Sequence, residues 1–252
     1  MTSTTHTASE PTLDPAEVRR FDALSAEWWD PNGPMRALHR LGPTRMAFVR
    51  DAAVRHFGLA GGGLKPLTGL TALDIGCGAG LVAEPLARLG ASVTAIDPAE
   101  ATIRIAAAHA ADQRLAIDYR AVRAEDLVAD CRTFDLVTCL EVIEHVPDVR
   151  AFLAVAVKLV RPGGLLVAST LNRTLKSYAL GIVAAEYILR WAPVGAHQWD
   201  RFITPDELKA HFKAVGLVAP KVSGMVYSPF NDTWSLSADD FDINYLAAAA
   251  RP

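Results

Sequence analysis

The stretch Ala72-Leu73-Asp74-Ile75-Gly76-Cys77-Gly78-Ala79-Gly80 decides how this chain folds. An apolar run ends in an acidic residue, and glycines then occupy every second position before a periodic segment from Leu81 to Leu89. This order is typical of a strand, a tight turn and a helix, because glycine adopts positive φ without a Cβ penalty. The N–H groups of the following helix then face the bound molecule. The stretch therefore predicts a site for a nucleotide-like cofactor.

The spacing of the glycines indicates which cofactor binds. A dinucleotide fingerprint reads G-x-G-x-x-G, whereas Gly76, Gly78 and Gly80 give G-x-G-x-G. Asp97 closes a second apolar run about twenty residues later, where an acidic residue accepts hydrogen bonds from both ribose hydroxyls. The combination resembles class I S-adenosylmethionine-dependent methyltransferases. An NAD-dependent oxidoreductase is the main alternative enzyme class.

The composition limits the class of protein. The chain has 252 residues, 51% of them hydrophobic and 21% charged, with a net charge of −3. Such a chain buries one sizeable α/β core, and its charge gives no support for a nucleic-acid partner. The three cysteines have neither metal-site nor disulfide spacing, which is typical of reduced thiols in the cytoplasm.

The first residues of the chain differ in composition from the rest. Residues 1–12 are rich in Thr, Ser and Ala and contain no apolar block, so we expect a disordered leader. Residues 13–252 are expected to form a single domain. No segment offers about 18 uninterrupted apolar residues, so a spanning helix is not expected.

From Leu70 onward, apolar runs and helical patterns alternate. The predicted elements are strands at 70–75, 92–97, 116–121, 134–140 and 164–170, helices at 80–89, 99–111, 124–129, 148–160 and 205–215, and final strands near 217–225 and 242–249. This alternation predicts an α/β, Rossmann-like fold with a seven-stranded, mostly parallel sheet and helices on both faces. Ligands of such sheets bind at the carboxyl ends of the strands.

Two helices are predicted before the sheet, at 14–30 and from Pro43 to Phe57. Asp14 as N-cap and Pro15 at the first position mark the start of the first helix. Arg45 lies in the second. An arginine on such a helix can bind the methionine carboxylate of the cofactor through two parallel hydrogen bonds. The alternative is an ordinary surface arginine.

Three candidate catalytic side chains follow the fourth predicted strand. Glu141, Glu144 and His145 are spaced i, i+3 and i+4, so a helical turn would place them on one face. Two carboxylates and an imidazole suit an oxygen-preferring divalent cation such as Mg²⁺. Alternatively, His145 acts alone as a general base, or the turn is only a solvated cap.

Residues 172–202 form an insertion after the fifth predicted strand. Its apolar side chains occupy nearly every face of a short helical stretch, and such a helix must bury against protein, lipid or an apolar ligand. The alternatives are core packing and a lid whose cations contact anionic lipid headgroups.

Segments from about Phe21 to Leu246 resemble the ubiquinone biosynthesis O-methyltransferases. The matching segments are Trp28-Trp29-Asp30, Leu38-His39-Arg40 with Pro43 and Arg45, Leu73-Asp74-Ile75-Gly76-Cys77-Gly78, Thr138-Cys139-Leu140-Glu141, Glu144-His145-Val146-Pro147-Asp148, Ser169-Thr170-Leu171-Asn172-Arg173, Ala185-Glu186-Tyr187-Ile188-Leu189-Arg190 and Asp242-Ile243-Asn244-Tyr245. One of them lies in the insertion, so the resemblance extends beyond the generic cofactor fold.

The resemblance implies an activity and a cofactor site. The family methylates phenolic hydroxyls of 2-polyprenyl-6-hydroxyphenol and 3-demethylubiquinol, and S-adenosylhomocysteine is released. The implied cofactor residues are Arg45, Gly76, Asp97 and Leu140, with Gly78 in the same loop. Leu140 stands where relatives often have Met, and we expect little effect because the contact there is through backbone and apolar surface.

The resemblance also implies a metal and partners. It assigns Mg²⁺ to Glu141, Glu144 and His145, and it implies that 172–202 contacts anionic lipids at the inner face of the cytoplasmic membrane. Other enzymes of ubiquinone biosynthesis are possible partners in a complex. The remaining alternatives are a methyltransferase for another small phenolic or carbon acceptor and a non-catalytic lipid-binding scaffold.

Overall fold

The computed structural model describes residues 14–16, 18–19, 27–188 and 198–252, with only the backbone at 184, 185, 187 and 188. The predicted leader lies outside these residues, as do 17 and 20–26 of the first predicted helix and 189–197 of the insertion. Residues 15, 16, 18 and 19 are helical, as predicted, and 27–35 form turns that lead into the next helix.

Eight strands form one sheet in the part of the chain that the structure describes. Their bounds are β1 Thr71–Ile75, β2 Ser92–Ile96, β3 Ile117–Arg120, β4 Phe134–Leu140, β5 Val160–Leu171, β6 Val218–Ser228, β7 Thr233–Ser237 and β8 Asn244–Ala250. The order across the sheet is β3-β2-β1-β4-β5-β8-β6-β7. The first five strands pair in parallel, and the last three add antiparallel pairs. The predicted α/β fold with a mostly parallel core is confirmed.

The strand count differs from the predicted seven. The additional strand is β7, whose sequence Thr-Trp-Ser-Leu-Ser is half-exposed or exposed throughout. It was not predicted because it contains no continuous apolar run. It pairs with β6 through a short hairpin and forms an edge of the sheet.

Helices cover both faces of the sheet. Their bounds are α1 Arg36–Phe57, α2 Ala83–Arg88, α3 Glu100–Asp112, α4 Ala124–Ala129, α5 Val149–Leu159, α6 Leu175–Ser177 and α7 Pro205–Ala214, with a π-helix at Tyr178–Ile188 and a 3₁₀ turn at Trp199–Arg201. Successive residues of β1 belong to different apolar clusters, Ala72 to one and Leu73 to the other. The two clusters therefore lie on opposite faces of the sheet.

Two predicted helix starts are wrong. Helix α1 begins seven residues before Pro43, which lies inside it. A proline removes only one N–H from the helix, and the buried face that includes Phe48 and Val49 outweighs this loss. Helix α2 begins at Ala83 rather than at residue 80, because Gly80 has a φ of 97°, which no helix accommodates.

The described part of the insertion has one buried and one exposed side. Ile182 is buried against Leu171 and Phe202, whereas Leu175 and Tyr178 are 82% and 48% exposed. The core-packing alternative therefore holds for one side only. Within the ranges that the structure describes, no helix is long and apolar enough to cross a membrane.

Candidate cofactor and acceptor site

The glycine loop joins β1 to α2 at the carboxyl edge of the sheet. Gly76, Gly78 and Gly80 have φ values of 69°, 51° and 97°, all in the region that glycine tolerates and other residues avoid. The N–H groups of Gly76 and Cys77 donate to the carbonyl of Ile96 at 2.9 and 3.0 Å. These bonds fix the loop against the end of β2.

Asp97 lies directly after β2 and contacts the glycine loop. Its Oδ2 accepts the N–H of Gly78 at 3.0 Å, and its Oδ1 accepts the N–H of Ala99 at 2.9 Å. The structure thus brings together two predicted cofactor residues, while their contact with ribose stays a prediction.

Arg45 is buried rather than on the surface, so the surface-arginine alternative is wrong. Its side chain is 2% exposed, and its Nη2 donates to the carbonyl of Leu38 at 2.9 Å. Its Nε has no hydrogen-bond partner among the described residues. Burial lowers the pKa of Arg45, while the charges of Glu141 and Asp74 oppose that shift. A buried donor without a partner is costly, so a ligand anion that accepts from it would be stabilised.

Leu140 ends β4 and belongs to the apolar cluster that α1 covers. It is 7% exposed. This packing agrees with an apolar contact at that position, and its contact with the cofactor stays a prediction.

Asp74 was not among the predicted site residues, yet it faces the same region. It is 1% exposed, its Oδ1 accepts from Thr138 Oγ1 at 2.7 Å, and its Oδ2 has no partner within the described ranges. Burial raises the pKa of Asp74 to about 7, although the Thr138 hydrogen bond and the charge of Arg45 act in the opposite direction. The signal in the sequence is a polar residue inside each of two apolar strands. The two strands are neighbours, and Asp74 pairs in register with Thr138.

This pKa predicts a dependence of stability on pH. The folded-state pKa lies above the ordinary value of 3.8, so the folded protein holds this proton more tightly than the unfolded chain does. The associated stability is present at low pH and is lost as the pH rises toward 7. We expect the unfolding free energy of the wild type, relative to Asp74→Asn, to fall by up to ~3 kcal/mol between about pH 5 and pH 7. Urea unfolding of both proteins measures this, and a constant difference would contradict it.

The segment that carries Glu141 and Glu144 is a turn, not a helix, and Glu141 has a φ of 57°. Ser169 Oγ donates to Glu141 Oε1 at 2.7 Å, and Thr170 Oγ1 donates to Glu144 Oε2 at 3.0 Å. Adjacent strand residues point to opposite faces of a sheet, so the two hydroxyls that bond these carboxylates point to opposite faces at the end of β5. The expected helical turn is therefore wrong, and the joint role of Glu141, Glu144 and His145 stays a prediction.

The acidic pair suits a cation in its chemistry but not in its arrangement. Glu144 is 4% exposed, and its Oε1 has no hydrogen-bond partner in the part of the chain that is described. Burial and the charge of Glu141 raise the pKa of Glu144 well above its usual value. Such carboxylate oxygens are ligands that Mg²⁺ prefers. However, no group of three or more His, Cys, Asp or Glu side chains among the described residues is placed to hold a metal ion. His145 therefore does not complete a three-ligand site in this arrangement.

Known proteins match this chain along most of its length. A methyltransferase-domain family matches residues 19–220. The ubiquinone biosynthesis O-methyltransferase of Nitrobacter winogradskyi is 53% identical over 238 residues, which cover 94% of this chain and 90% of that protein. The chain belongs to the ubiquinone biosynthesis O-methyltransferase family. Another member, from Azorhizobium caulinodans, is 52% identical over 235 residues, which cover 93% of this chain and 92% of that protein. The resemblance found in the sequence is confirmed.

Solved structures agree with the fold of this family. The magnesium protoporphyrin IX methyltransferase of Synechocystis, with bound S-adenosylhomocysteine, has a TM-score of 0.63 at 19% identity, covering 93% of this chain and 94% of that one. An S-adenosylmethionine-dependent methyltransferase of Thermotoga maritima has a TM-score of 0.62 at 16% identity, covering 94% and 99%. These likenesses support the fold, and membership in the family identifies an O-methyltransferase, which excludes the NAD-dependent alternative.

Proposed function

We propose that this family member methylates a phenolic hydroxyl of polyprenylated catechol and quinol intermediates, namely 2-polyprenyl-6-hydroxyphenol and 3-demethylubiquinol. S-adenosylmethionine is the donor and S-adenosylhomocysteine the by-product. The observation that carries the proposal is the 53% identity, over 94% of the chain, to a relative named for O-methylation in ubiquinone biosynthesis. The structure adds a set of side chains suited to the cofactor.

Two unpaired buried atoms suit the methionine part of the cofactor. Arg45 Nε is a cationic donor, and Asp74 Oδ2 is an acceptor, and neither has a partner among the described residues. The methionine part carries one carboxylate and one ammonium group, which are the matching charges. Asp97 and the backbone of Gly76 and Gly78 then lie at the strand ends, where a nucleoside binds in such sheets. When bound, the cofactor supplies a methyl group on a positively charged sulfur.

The acceptor must lose a proton during the transfer. A neutral phenol is a weak nucleophile, since its pKa is about 10. The new oxygen–carbon bond therefore forms, and the carbon–sulfur bond breaks, as a base takes the phenol proton. His145 is the candidate base, because an imidazole exchanges protons near neutral pH. Its backbone N–H donates to the carbonyl of Val142 at 2.9 Å, which holds it in the turn beside Glu144.

We further propose that Glu141, Glu144 and His145 hold Mg²⁺ when the acceptor binds. The unpaired Oε1 of Glu144 and its electrostatic interaction with Glu141 support this assignment. Mg²⁺ held by these side chains would supply Lewis-acid chemistry, lowering the pKa of a catechol oxygen. The three side chains would have to converge from the arrangement described above.

The insertion supports contact with a membrane surface. Leu175, Tyr178, Leu180 and Val183 are 82%, 48%, 46% and 38% exposed. Exposed apolar side chains grouped in one segment are typical of a surface that binds lipid or protein, and a polyprenyl tail resides in lipid. We therefore propose peripheral association with anionic lipids at the inner face of the cytoplasmic membrane. Membership in a biosynthetic complex is proposed from the relatives' pathway name alone.

Methyl transfer to a short-chain prenylated catechol, with and without EDTA, tests the function and the metal together. We expect EDTA to abolish the activity and added Mg²⁺ to restore it. Activity that is indifferent to EDTA would contradict the metal site and leave His145 as the base. No transfer, despite binding of S-adenosylhomocysteine, would contradict the acceptor and favour another acceptor or a lipid-binding scaffold.

A further inference from the structure

Trp28 lies directly against the glycine loop. Its side chain is 7% exposed and packs with Met35 and Ala79 in a small apolar cluster, separate from the two clusters of the sheet. A β-carbon added at Gly78 would overlap the Trp28 indole. The segment before α1 therefore covers the middle of the turn in which the predicted cofactor residues lie.

Two anchors hold this segment in place, and a third holds the partner of one of them. The carbonyl of Trp28 accepts a hydrogen bond from His39 Nε2 on α1 at 2.8 Å. The indole of Trp29 stacks on the imidazole of His109 on α3, with ring centroids 3.5 Å apart and planes inclined by 11°. His109 Nδ1 in turn donates to Glu84 Oε1 on α2 at 2.6 Å.

The third anchor reaches back to the glycine loop itself. Glu84 is 2% exposed, and its N–H donates to the carbonyl of Gly80 at 3.0 Å. One continuous path of contacts thus runs from the loop through Glu84 and His109 to Trp29. A buried carboxylate that accepts a hydrogen bond from an imidazole is a strong, oriented interaction, so the stacked imidazole has a fixed plane.

We propose that Trp28 is the outer wall of the S-adenosyl cofactor site, and that Trp29, His109 and Glu84 are positioning residues that keep it closed. The inference rests on the proposed function, because it takes the glycine loop as the cofactor site. Cofactor entry and release of S-adenosylhomocysteine then require the segment at 27–35 to leave the loop. The stack of Trp29 on His109 controls how often it does so.

Release of S-adenosylhomocysteine from His109→Ala tests the proposal. We expect the dissociation rate, measured by stopped-flow displacement with excess unlabelled ligand, to rise about tenfold, because the variant loses both the stack and the bond to Glu84. His56→Ala is the matched control. Like His109, His56 makes a hydrogen bond and a ring contact. It bonds the carbonyl of Gly163 at 2.9 Å and contacts the ring of Phe57, at the far end of α1. Its dissociation rate should equal that of the wild type.

Two further variants separate the contributions. His109→Phe keeps an aromatic ring for Trp29 but loses the bond to Glu84, whereas Trp29→Ala removes the stack and leaves that bond. Both should release the ligand faster than the wild type. Hydrogen exchange of 27–35 should slow on ligand binding in the wild type, and less so in Trp29→Ala.

Wild-type release rates in both His109→Ala and Trp29→Ala would overturn the proposal. Hydrogen exchange at 27–35 that does not change when the ligand binds would also overturn it. Should the wild type itself not bind S-adenosylhomocysteine, the proposed function would fail instead. The two failures are therefore distinguishable.

Discussion

Replacing Asp97 with alanine is expected to weaken binding of S-adenosylhomocysteine by about 100-fold or more, because the proposed ribose contact would lose two hydrogen bonds to a carboxylate. The same change removes the acceptor for the N–H of Gly78, so the loop also loses a bond that fixes its shape. Calorimetric titration of the variant measures the dissociation constant directly, without any acceptor substrate.

The matched control is Asp118→Ala. Asp118 is a partly exposed carboxylate on the adjacent strand β3, bonded to Arg120 and Arg132 and away from the glycine loop. Its variant should bind the ligand as the wild type does. A dissociation constant for Asp97→Ala within about threefold of the wild type would rule out a ribose contact, since that is less than the contribution of one hydrogen bond to a charged group.

Replacing His145 with alanine is expected to lower kcat by about 100- to 10,000-fold, which is the usual contribution of a general base. The affinity for S-adenosylhomocysteine should not change, because other groups hold the candidate cofactor side chains: Leu38 bonds Arg45, Thr138 bonds Asp74 and Gly78 bonds Asp97. Initial rates with a prenylated catechol, together with calorimetry of the ligand, give both quantities.

The metal dependence of this variant distinguishes the two roles of His145. Partial recovery at high Mg²⁺ indicates a ligand, since mass action offsets a weakened site, whereas recovery with added imidazole indicates a base. His211→Ala is the control, because His211 is a partly exposed histidine in the last turn of α7. Undiminished turnover of His145→Ala would contradict both roles.

The part of the site that follows from strand ends was predictable. The carboxyl ends of parallel strands lie at the same edge of a sheet, so the acidic residue after β2 was expected near the glycines after β1. Asp97 does bond to Gly78. The spacing of Glu141 and Glu144 was less informative. Their directions are set by the hydroxyls of Ser169 and Thr170 on β5, and the register between β4 and β5 is not contained in a local spacing.

Other differences arise where tertiary packing outweighs a local signal. Pro43 is typical of a helix start, but burial of the apolar face of α1 extends the helix through it. The role of Asp74 depends on burial and on the charge of Arg45, neither of which is visible in the strand that carries it. The contact of Trp28 with Gly78 joins segments fifty residues apart in the chain and has no local signature.

The position of β8 has a consequence for biosynthesis. This strand follows all the others in the chain, yet it pairs with β5 on one side and β6 on the other. Until β8 has left the ribosome, β5 and β6 each have an edge with unpaired hydrogen-bonding groups. The apolar surface that Leu246 later covers is then exposed to solvent. Unpaired edges invite association between chains. The yield of folded enzyme should therefore increase with slow translation at low temperature or with abundant chaperones, which protect the unpaired edges of β5 and β6 until β8 pairs with them.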